Sequence, residues 1–448
     1  MRKYPTDFVN EINDILKDNK EAFWQAYKNT PYRGLRVNTL KSNVDLLKDK
    51  LGFALEKTPF CTEGYYLPYD EKSVGNNPLH LAGAFYMQEP SAMAAAELLC
   101  LQPGERVLDL CAAPGGKSTQ IAAKLCSKGL IWSNEIIRTR ASILLSNMER
   151  CGVKNSIISS CTPETLCGKM KGFFDKILVD APCSGEGMFR RDPQAASEWS
   201  RSHVLSCANR QLMILNTAKD ALKPGGVLVY STCTFSREEN EGVIEKFLEQ
   251  NKNFELDTTV KGHSVTLKNG CVRIFPQDGG EGHFCARLIK TDGETAKEKK
   301  YLPSRADKKD IETAAKAINE LFVNNPFGQN YSVINGSVYC LPDGMPDISG
   351  LQILRAGVYM GDIVKNRFEP SHAAFVAAKP NDCINYVNFD INDERLYKYL
   401  RGEELEADDL GLNNGYCAVC VEGITLGFGK YSQGRLKNKY PKGLRING

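Results

Sequence analysis

Two cysteines lie at positions where a thiol could act as a nucleophile. Cys183 lies in LVDAPCSGEGMFRRDP and Cys233 in VLVYSTCTFSREENE, and each follows an apolar run that predicts a buried β-strand. A single cysteine is more often only a small buried hydrophobic side chain. If the two strands are neighbours, about 4.8 Å apart, both thiols and the Asp180 carboxylate converge at one sheet edge. A nucleophilic thiol, a second thiol and a carboxylate suit an addition–elimination reaction.

The segment VLDLCAAPGGKS, at 107–118, predicts a ligand site between a strand and a helix. Gly115 and Gly116 let the backbone approach a ligand, and the helix N-terminus favours a carboxylate. The pattern is neither GxGxxG nor a P-loop, which argues against dinucleotides and nucleoside triphosphates. Glu135, which ends the next predicted strand, can accept hydrogen bonds from ribose hydroxyls. Arg140 is either a partner for a ligand carboxylate or an exposed helix arginine.

Strand and helix signals alternate between about residues 79 and 290. The predicted strands include ERVLDL, LIWSNE, NSIISS, FDKILVDAP and GVLVYSTC, with helical segments between them. Such alternation predicts a parallel sheet with helices on both faces, that is, a Rossmann-like doubly wound α/β domain. The strand that carries Asp109 is expected beside the strand of Asp180. VRIFPQ and HFCARLIK are predicted to form a closing hairpin.

The whole chain divides into five predicted units. Residues 1–75 form a small N-terminal α/β unit with a helical start, the strand LRVNTL and the helix SNVDLLKDKLG. Residues 76–290 form the doubly wound domain, and the charge-dense residues 291–310 are a linker. The chain ends in an α+β region, with one small module at 311–375 and a second at 376–448.

Composition narrows the class of protein. The 448 residues carry a net charge of +3, and no apolar run is long enough to span a bilayer. The N-terminus does not read as a secretory signal, so a cytoplasmic protein with reduced thiols is expected. Cys417 and Cys420 form a CxxC without a second pair at zinc-finger spacing, so buried strand thiols are a better interpretation than a metal site.

The C-terminus is basic. Its last nineteen residues contain no acid, and Tyr431 and Tyr440 lie among the cations. A solvated surface and an RNA contact are about equally good interpretations of this pattern alone. The candidate RNA-binding residues are Lys430, Arg435, Lys437, Lys439, Lys442 and Arg445.

The motifs together resemble the Nol/Nop/Sun family of RNA cytosine-5 methyltransferases. The matching stretches are RVNTL at 36–40, YMQEPSAM at 86–93, DLCAAPGGKSTQIA at 109–122, DAPCSGEGMFRRDP at 180–193, YSTCTFSREENE at 230–241 and GEGHF at 280–284. The resemblance implies that Cys233 attacks carbon 6 of the base and that Cys183 assists release. It also implies an S-adenosylmethionine site lined by Cys111, Ala112, Ala113, Pro114, Gly115, Gly116, Lys117, Glu135 and Asp180, with Asp180 also near the target base.

The C-terminal sequence narrows the resemblance to a branch of the family. ILRAGVYMGDIVKNRFEPSHA and LGFGKYSQGRLKNKYPKGLR resemble the bacterial branch called RsmF, in which a PUA-like module follows the catalytic domain. This implies that the substrate is 16S ribosomal RNA or the assembled small subunit, and that the basic C-terminal segment binds it. No obligate protein partner is evident.

Four alternatives remain open. The enzyme could act on transfer RNA, although the tail favours ribosomal RNA. A non-catalytic RNA-binding factor for ribosome assembly would not need Cys183, Cys233 and Asp180. In a DNA cytosine methyltransferase the Pro-Cys cysteine is the nucleophile, so Cys233 would have no task. A small-molecule methyltransferase would leave the basic module unexplained.

Overall fold

The computed structural model describes residues 4–69, 71, 73–258, 270–293, 295, 308–365 and 367–446. Most of the predicted linker at 291–310 therefore lies outside the described residues. Its last three residues, 308–310, belong to a helix rather than to a linker.

The N-terminal unit contains helices packed beside a small antiparallel sheet. Its elements are α1 Thr6–Leu16, α2 Lys20–Tyr27, β1 Arg33–Val37, α3 Val44–Lys50, β2 Glu56–Lys57, β3 Gly64–Leu67, α4 Pro78–Leu81 and β4 Phe85–Met87. Asn43 caps α3, because its side chain accepts a hydrogen bond from the Leu46 amide at 3.0 Å. The sheet has the order β2-β3-β1-β4, so it includes a strand beyond the predicted boundary at residue 75.

The central domain is doubly wound, as predicted. Its elements are α5 Ala94–Glu97, β5 Arg106–Asp109, α6 Gly116–Lys124, β6 Leu130–Asn134, α7 Arg138–Arg150, β7 Ser156–Ser159, α8 Pro163–Lys169, β8 Phe174–Asp180, α9 Pro193–Glu198, α10 Arg201–Ala218, β9 Leu222–Thr232, α11 Glu241–Gln250, β10 Phe254–Leu256, β11 Cys271–Ile274 and β12 His283–Lys290. The parallel strands have the order β7-β6-β5-β8-β9, and the antiparallel β12 and β10 continue the sheet beyond β9.

Side chains alternate across this sheet and give it a hydrophobic core on each face. Leu108 and Ile177 pack into the core that includes residues of α8, α10 and α11, whereas their neighbours Val107 and Leu178 pack into the core of α5, α6 and α7. Strands buried on both faces explain why the sequence shows continuous apolar runs. The predicted hairpin is confirmed as β11 and β12. β9 begins before the predicted strand GVLVYSTC, because the segment KPGG also belongs to it.

The C-terminal half first forms a four-stranded antiparallel sheet with two helices. Its elements are α12 Lys308–Asn319, β13 Tyr331–Ile334, β14 Ser337–Cys340, β16 Val358–Val364, β17 Arg367–Pro370 and α13 His372–Ala377. One further strand, β15 (Ile353–Ala356), leaves this unit and pairs antiparallel with β7. The C-terminal half therefore supplies an edge strand of the central sheet, which the predicted division into separate units did not anticipate.

A five-stranded sheet ends the chain. Its elements are β18 Tyr386–Phe389, α14 Glu394–Arg401, β19 Leu405–Glu406, β20 Gly415–Val421, β21 Ile424–Ser432 and β22 Arg435–Asn438. The strand order is β18-β20-β21-β22-β19. Cys417 and Cys420 are fully buried on β20, in agreement with the prediction of strand thiols. In the part of the chain that the structure covers, no helix is both long and apolar enough to cross a membrane.

The first and last sheets share one hydrophobic core. Leu35 and Leu47 of the N-terminal unit belong to the same buried cluster as Leu396 of α14 and Val419 of β20. At the margin of this core, the Lys41 ammonium donates to the Thr425 carbonyl at 2.9 Å. The two ends of the chain are therefore held together around the central domain.

Candidate active site

The two candidate cysteines come together because β8 and β9 are parallel neighbours. Asp180 lies opposite Ser231 in the strand register, and both strands end at the same edge of the sheet. The predicted neighbour on the other side is also confirmed, since β5 pairs with β8. Cys183 and Cys233 each follow the last residue of a strand within a few positions.

The Cys183 and Cys233 sulfur atoms lie 3.3 Å apart, and both residues are partly accessible. The hydrogen bond with the Cys233 sulfur, together with burial, raises the pKa of the Cys183 thiol well above its ordinary value. Cys183 therefore keeps its proton while it faces the Cys233 sulfur. A pair in which one thiol holds the proton leaves the other free to act as a nucleophile.

Asp180 is the polar centre of the site. Its Oδ2 accepts from the Lys117 ammonium at 2.8 Å, and its Oδ1 accepts from the Ser231 hydroxyl at 2.7 Å. Burial would raise the pKa of Asp180, but the Lys117 charge and these hydrogen bonds lower it below its ordinary value. The side chain is still 29% exposed. Asp180 is thus an anion that can accept a further hydrogen bond from a ligand.

Two buried glutamates hold the loops that carry the cysteines. Glu239 accepts from the Ser184 amide at 2.9 Å and from the Gln211 side chain at 2.8 Å. Glu186 accepts from the Phe235 amide at 2.9 Å, two residues after the second cysteine. Burial raises the pKa of both glutamates. These bonds cross between the loops after β8 and β9, so they fix one thiol relative to the other.

The loop at 111–117 lies where β5 turns into α6. Gly115 has φ of 115°, and no side chain of the described residues caps the amides at the start of α6. Asp109 is fully buried at the end of β5; its Oδ2 accepts from Ser118, and its Oδ1 has no partner in the described chain. Free helix amides suit a carboxylate, and an orphaned carboxylate oxygen suits an ammonium group. These groups fit the amino-acid part of S-adenosylmethionine.

Glu135 and Arg140 stand beside this loop. Glu135 is buried just after β6, and its carboxylate accepts from the Ile137 amide at 3.0 Å. The Arg140 side chain is 51% exposed; it lies 3.4 Å from Glu135 Oε2 and donates to the Ala113 carbonyl at 3.1 Å. Arg140 therefore stabilises the loop and Glu135, while a direct contact with a ligand carboxylate stays a prediction.

The N-terminal unit also supports the cofactor loop. Arg36, from the motif RVNTL, is almost fully buried and donates to the Gly116 carbonyl at 3.1 Å and to the Thr119 hydroxyl at 2.8 Å. Arg190 and Glu281 form a buried ion pair at 2.6 Å that joins the segment after Cys183 to the GEGHF loop. The sequence placed these residues in motifs but gave no sign of their partners.

The predicted RNA-binding cations do not form a uniform group. Lys430, Lys437, Lys439 and Lys442 are exposed, and Lys430 lies opposite Lys437 in the β21–β22 register. Arg435 contacts Glu404 at 3.1 Å, and Arg445 is partly buried with a hydrogen bond to the Tyr440 carbonyl. Tyr440, which lies among these cations in the sequence, is 3% exposed and packs against His372 and Tyr399, so its ring is not available to stack on an RNA base.

Four family models match successive parts of the chain. They are the N-terminal domain of 16S rRNA methyltransferase RsmF at residues 4–90, 16S rRNA methyltransferase RsmB/F at 96–289, the RsmF rRNA methyltransferase first C-terminal domain at 317–377 and the methyltransferase RsmF PUA domain at 386–446. The central match contains both cysteines and the cofactor loop.

Individual relatives cover nearly the whole chain. Ribosomal RNA small subunit methyltransferase F from Vibrio campbellii is 34% identical over 98% of this chain and 97% of its own length. The same protein from Vibrio parahaemolyticus is also 34% identical, with the same coverage. A solved structure of a methyltransferase homologue from Pyrococcus horikoshii is 32% identical over 64% of this chain and 95% of its own, with a TM-score of 0.56. The chain therefore belongs to the RsmF branch of the 16S rRNA methyltransferase RsmB/F family, and its cofactor is S-adenosylmethionine.

Proposed function

We propose that this protein methylates carbon 5 of a cytosine in small-subunit 16S ribosomal RNA, with Cys233 as the nucleophile and Cys183 assisting release. The observation that carries the proposal is the 3.3 Å pair of sulfur atoms beside the Asp180–Lys117 ion pair. Methylation of an unreactive ring carbon needs a covalent nucleophile and a separate base. The proposal of ribosomal RNA as the substrate rests on the names of the relatives. The proposal of methylation at carbon 5 of cytosine rests on the cysteine pair.

The first half of the reaction activates the base. The Cys233 thiolate forms a bond to carbon 6, and the electron pair of the carbon 5–carbon 6 double bond moves into the ring, where negative charge develops at carbon 5 and nitrogen 3. Carbon 5 becomes nucleophilic as a result. Asp180, held as an anion by Lys117, can accept a hydrogen bond from the exocyclic amino group. When bound, S-adenosylmethionine supplies the methyl group that carbon 5 takes.

The second half restores the aromatic ring. The proton on carbon 5 must leave, the double bond re-forms, and the Cys233–carbon 6 bond breaks so that the thiolate departs. The pKa of Cys183 is raised chiefly by its hydrogen bond with Cys233. Once the Cys233 sulfur is bonded to carbon, that sulfur no longer carries a negative charge, so Cys183 deprotonates more easily. Cys183 can then lose its proton to solvent and, as a thiolate, accept the carbon-5 proton at the stage that needs a base.

The RNA is proposed to contact several parts of the chain. The matched PUA domain and the exposed lysines of β21, β22 and the following turn offer charge for phosphate groups. A stacked cytosine cannot reach the Cys233 sulfur, so the target base must be unpaired or turned out of its helix. An enzyme that acts on ribosomal RNA is expected in the bacterial cytoplasm, where the thiols stay reduced.

Cysteine substitutions test the proposal. We expect Cys183→Ala to accumulate a covalent RNA adduct that survives denaturing electrophoresis, because release fails after methyl transfer. Cys233→Ser should form no adduct and should lose methylation by about 10³-fold or more. Cys126→Ala removes an exposed thiol just after α6 and serves as the control, with unchanged activity.

The substrates separate the alternatives. Labelled S-adenosylmethionine is supplied with a 16S RNA transcript, assembled small subunits, transfer RNA or DNA, and methylcytosine is mapped. Methyl transfer to 16S RNA at carbon 5 supports the proposal. Label in transfer RNA or DNA alone would reassign the substrate. If the protein binds RNA but transfers no methyl group to any of the substrates, it would be an assembly factor. Methylation by Cys233→Ser would contradict the assignment of Cys233 as the nucleophile.

A further inference from the structure

His283 is a buried polar side chain of the candidate active site, and the proposed mechanism assigns no role to it. It is the first residue of β12, within the GEGHF motif, and it is 3% exposed. Neither ring nitrogen makes a hydrogen bond of normal geometry with the part of the chain that is described. The nearest carboxylate oxygen is Asp180 Oδ1, which lies 3.8 Å from His283 Nε2.

Within the described chain the His283 ring contacts the Gly282 backbone, which raises its pKa, but neither nitrogen has a hydrogen bond of normal geometry. Burial lowers the pKa of His283 to about 4, as does the Lys117 charge, so the ring is neutral near pH 7. A neutral imidazole offers one N–H donor and one acceptor nitrogen. The charged groups that face it are Asp180, Lys117 and Glu89, and the adjacent backbone is that of Gly282. A buried donor and acceptor left unpaired each cost free energy, which a ligand can recover.

The surroundings indicate which ligand that is. Asp180 Oδ1 is occupied by Ser231 and Oδ2 by Lys117, so the carboxylate is already fixed without help from His283. The ring lies next to that carboxylate, where the proposed mechanism requires the target base. A pyrimidine carries hydrogen-bonding atoms along one edge, and cytosine places an exocyclic amino group beside the ring acceptor nitrogen 3, where uracil has a carbonyl beside a ring N–H.

We propose that His283 is a specificity-determining residue that donates a hydrogen bond to a ring acceptor of the target cytosine, while Asp180 accepts from the exocyclic amino group. The inference rests on the proposed function, because it assumes a cytosine bound beside Asp180. One acceptor and one donor placed side by side match cytosine. Uracil has a carbonyl where cytosine has the amino group, so it would leave Asp180 facing another acceptor.

The test uses RNA that traps the covalent intermediate. A 16S RNA transcript with 5-fluorocytidine in place of cytidine stops after methyl transfer, because fluorine cannot leave as a cation. We compare the full-length protein with His283→Phe, which removes both nitrogens, and with His283→Gln, which restores an amide donor. His372→Phe replaces another histidine, in the C-terminal half, whose Nδ1 is buried and also lacks a partner among the described residues, and serves as the matched control.

We expect His283→Phe to form adduct about 10- to 100-fold more slowly than the wild type, the effect of losing one buried hydrogen bond to the reacting base. His283→Gln should recover part of that rate, and His372→Phe should match the wild type. Binding of S-adenosylmethionine and the melting temperature are measured for each variant, and both should stay close to wild type in His283→Phe. A loss confined to the base-dependent step separates base recognition from folding or cofactor binding.

Two results would overturn the inference. Equal adduct rates for wild type and His283→Phe would show that the ring does not meet the base. Weaker S-adenosylmethionine binding by His283→Phe, with an unchanged adduct rate at saturating cofactor, would assign the ring to the cofactor instead. If the wild type itself forms no adduct on the 5-fluorocytidine transcript while it methylates RNA elsewhere, the proposed function fails rather than the role of His283.

Discussion

Carboxylates at the ends of neighbouring strands behave differently in this site because their surroundings differ. Asp180, at the end of β8, has Lys117 beside it, and its pKa is lowered. Asp109, at the end of β5, is fully buried with one oxygen unpaired among the described residues, and burial raises its pKa to about 7. One acid is therefore kept charged beside the proposed nucleophile, and the other keeps an oxygen that a ligand ammonium group is proposed to contact.

The raised pKa of Asp109 makes stability depend on pH. The folded protein holds this proton more tightly than the unfolded chain, so this group's contribution falls as pH rises from about 4 to about 7. Asp109→Asn removes the buried charge and keeps an oxygen for Ser118. We expect its advantage in unfolding free energy to grow by about 3 kcal/mol between pH 5 and pH 8 in urea titrations without cofactor.

The same substitution should act in the opposite direction on cofactor binding. A neutral amide cannot attract an ammonium group as a carboxylate does, so S-adenosylmethionine should bind Asp109→Asn more weakly, as calorimetry can measure. Asp175→Asn is the control, because Asp175 accepts from the Arg106 amide at the opposite end of β5. A stability difference that stays constant with pH would contradict the assignment of this proton to Asp109.

Single residues were predictable where motif and strand end coincide. Cys183, Cys233 and Asp180 each stand at or just beyond a strand end, and parallel strands must place such residues together. The burial of Tyr440 could not be predicted, because it depends on packing against side chains far away in the sequence. His283 lies in the matched motif GEGHF, but the sequence alone did not indicate that its ring is buried beside Asp180.

Among the elements, β15 shows that a sequence pattern does not determine which strand a given strand pairs with. Its residues read as a short strand, and a strand is what they form, but the strand pairs with β7 about two hundred residues earlier. Local periodicity determines that a strand exists and leaves its partner open. The Arg355 guanidinium reinforces the pairing with a 2.6 Å contact to Glu149 on α7. This addition also covers what would otherwise be an exposed edge of the central sheet.

The turn between β15 and β16 offers a test of this element. Gly357 has φ of 65°, and a Cβ there would overlap the Cys340 carbonyl oxygen. Gly350 has φ of 80°, yet a Cβ there would meet nothing within 4 Å. Gly357→Ala and Gly350→Ala therefore incur the same backbone strain, of about 1 kcal/mol, and only the first adds a clash with the backbone.

We expect Gly357→Ala to lower the unfolding free energy by about 2 kcal/mol more than Gly350→Ala, because the backbone must shift and weaken the β15–β7 pairing. Chemical denaturation measures the difference. Hydrogen exchange should show faster exchange of β7 amides in Gly357→Ala and not in Gly350→Ala. Equal destabilisation by the two variants would mean that the turn relaxes without disturbing the edge strand.

For the whole molecule, the proposed RNA contact can be measured through salt. Lys430, Lys437 and Lys439 are exposed on and just after the last two strands. Changing all three to alanine should weaken binding to a 16S RNA transcript and reduce the slope of log affinity against log salt by about 2, if each lysine meets a phosphate. The control is a variant in which three exposed lysines of the central domain are changed to alanine, so that the net charge changes by the same amount. These lysines are Lys171, Lys246 and Lys252. If both triple variants weaken RNA binding equally, the weakening would reflect the net charge of the protein and not a contact between the C-terminal lysines and RNA.

The core shared by the first and last sheets has a consequence for synthesis on the ribosome. Leu47 is buried beside residues such as Val419, which the ribosome adds more than three hundred residues later. The N-terminal sheet therefore emerges long before its packing partner exists, and its apolar face must wait exposed while the central domain is made. We expect a nascent chain arrested before β20 to recruit chaperones through residues 33–87, and to release them once the last sheet emerges.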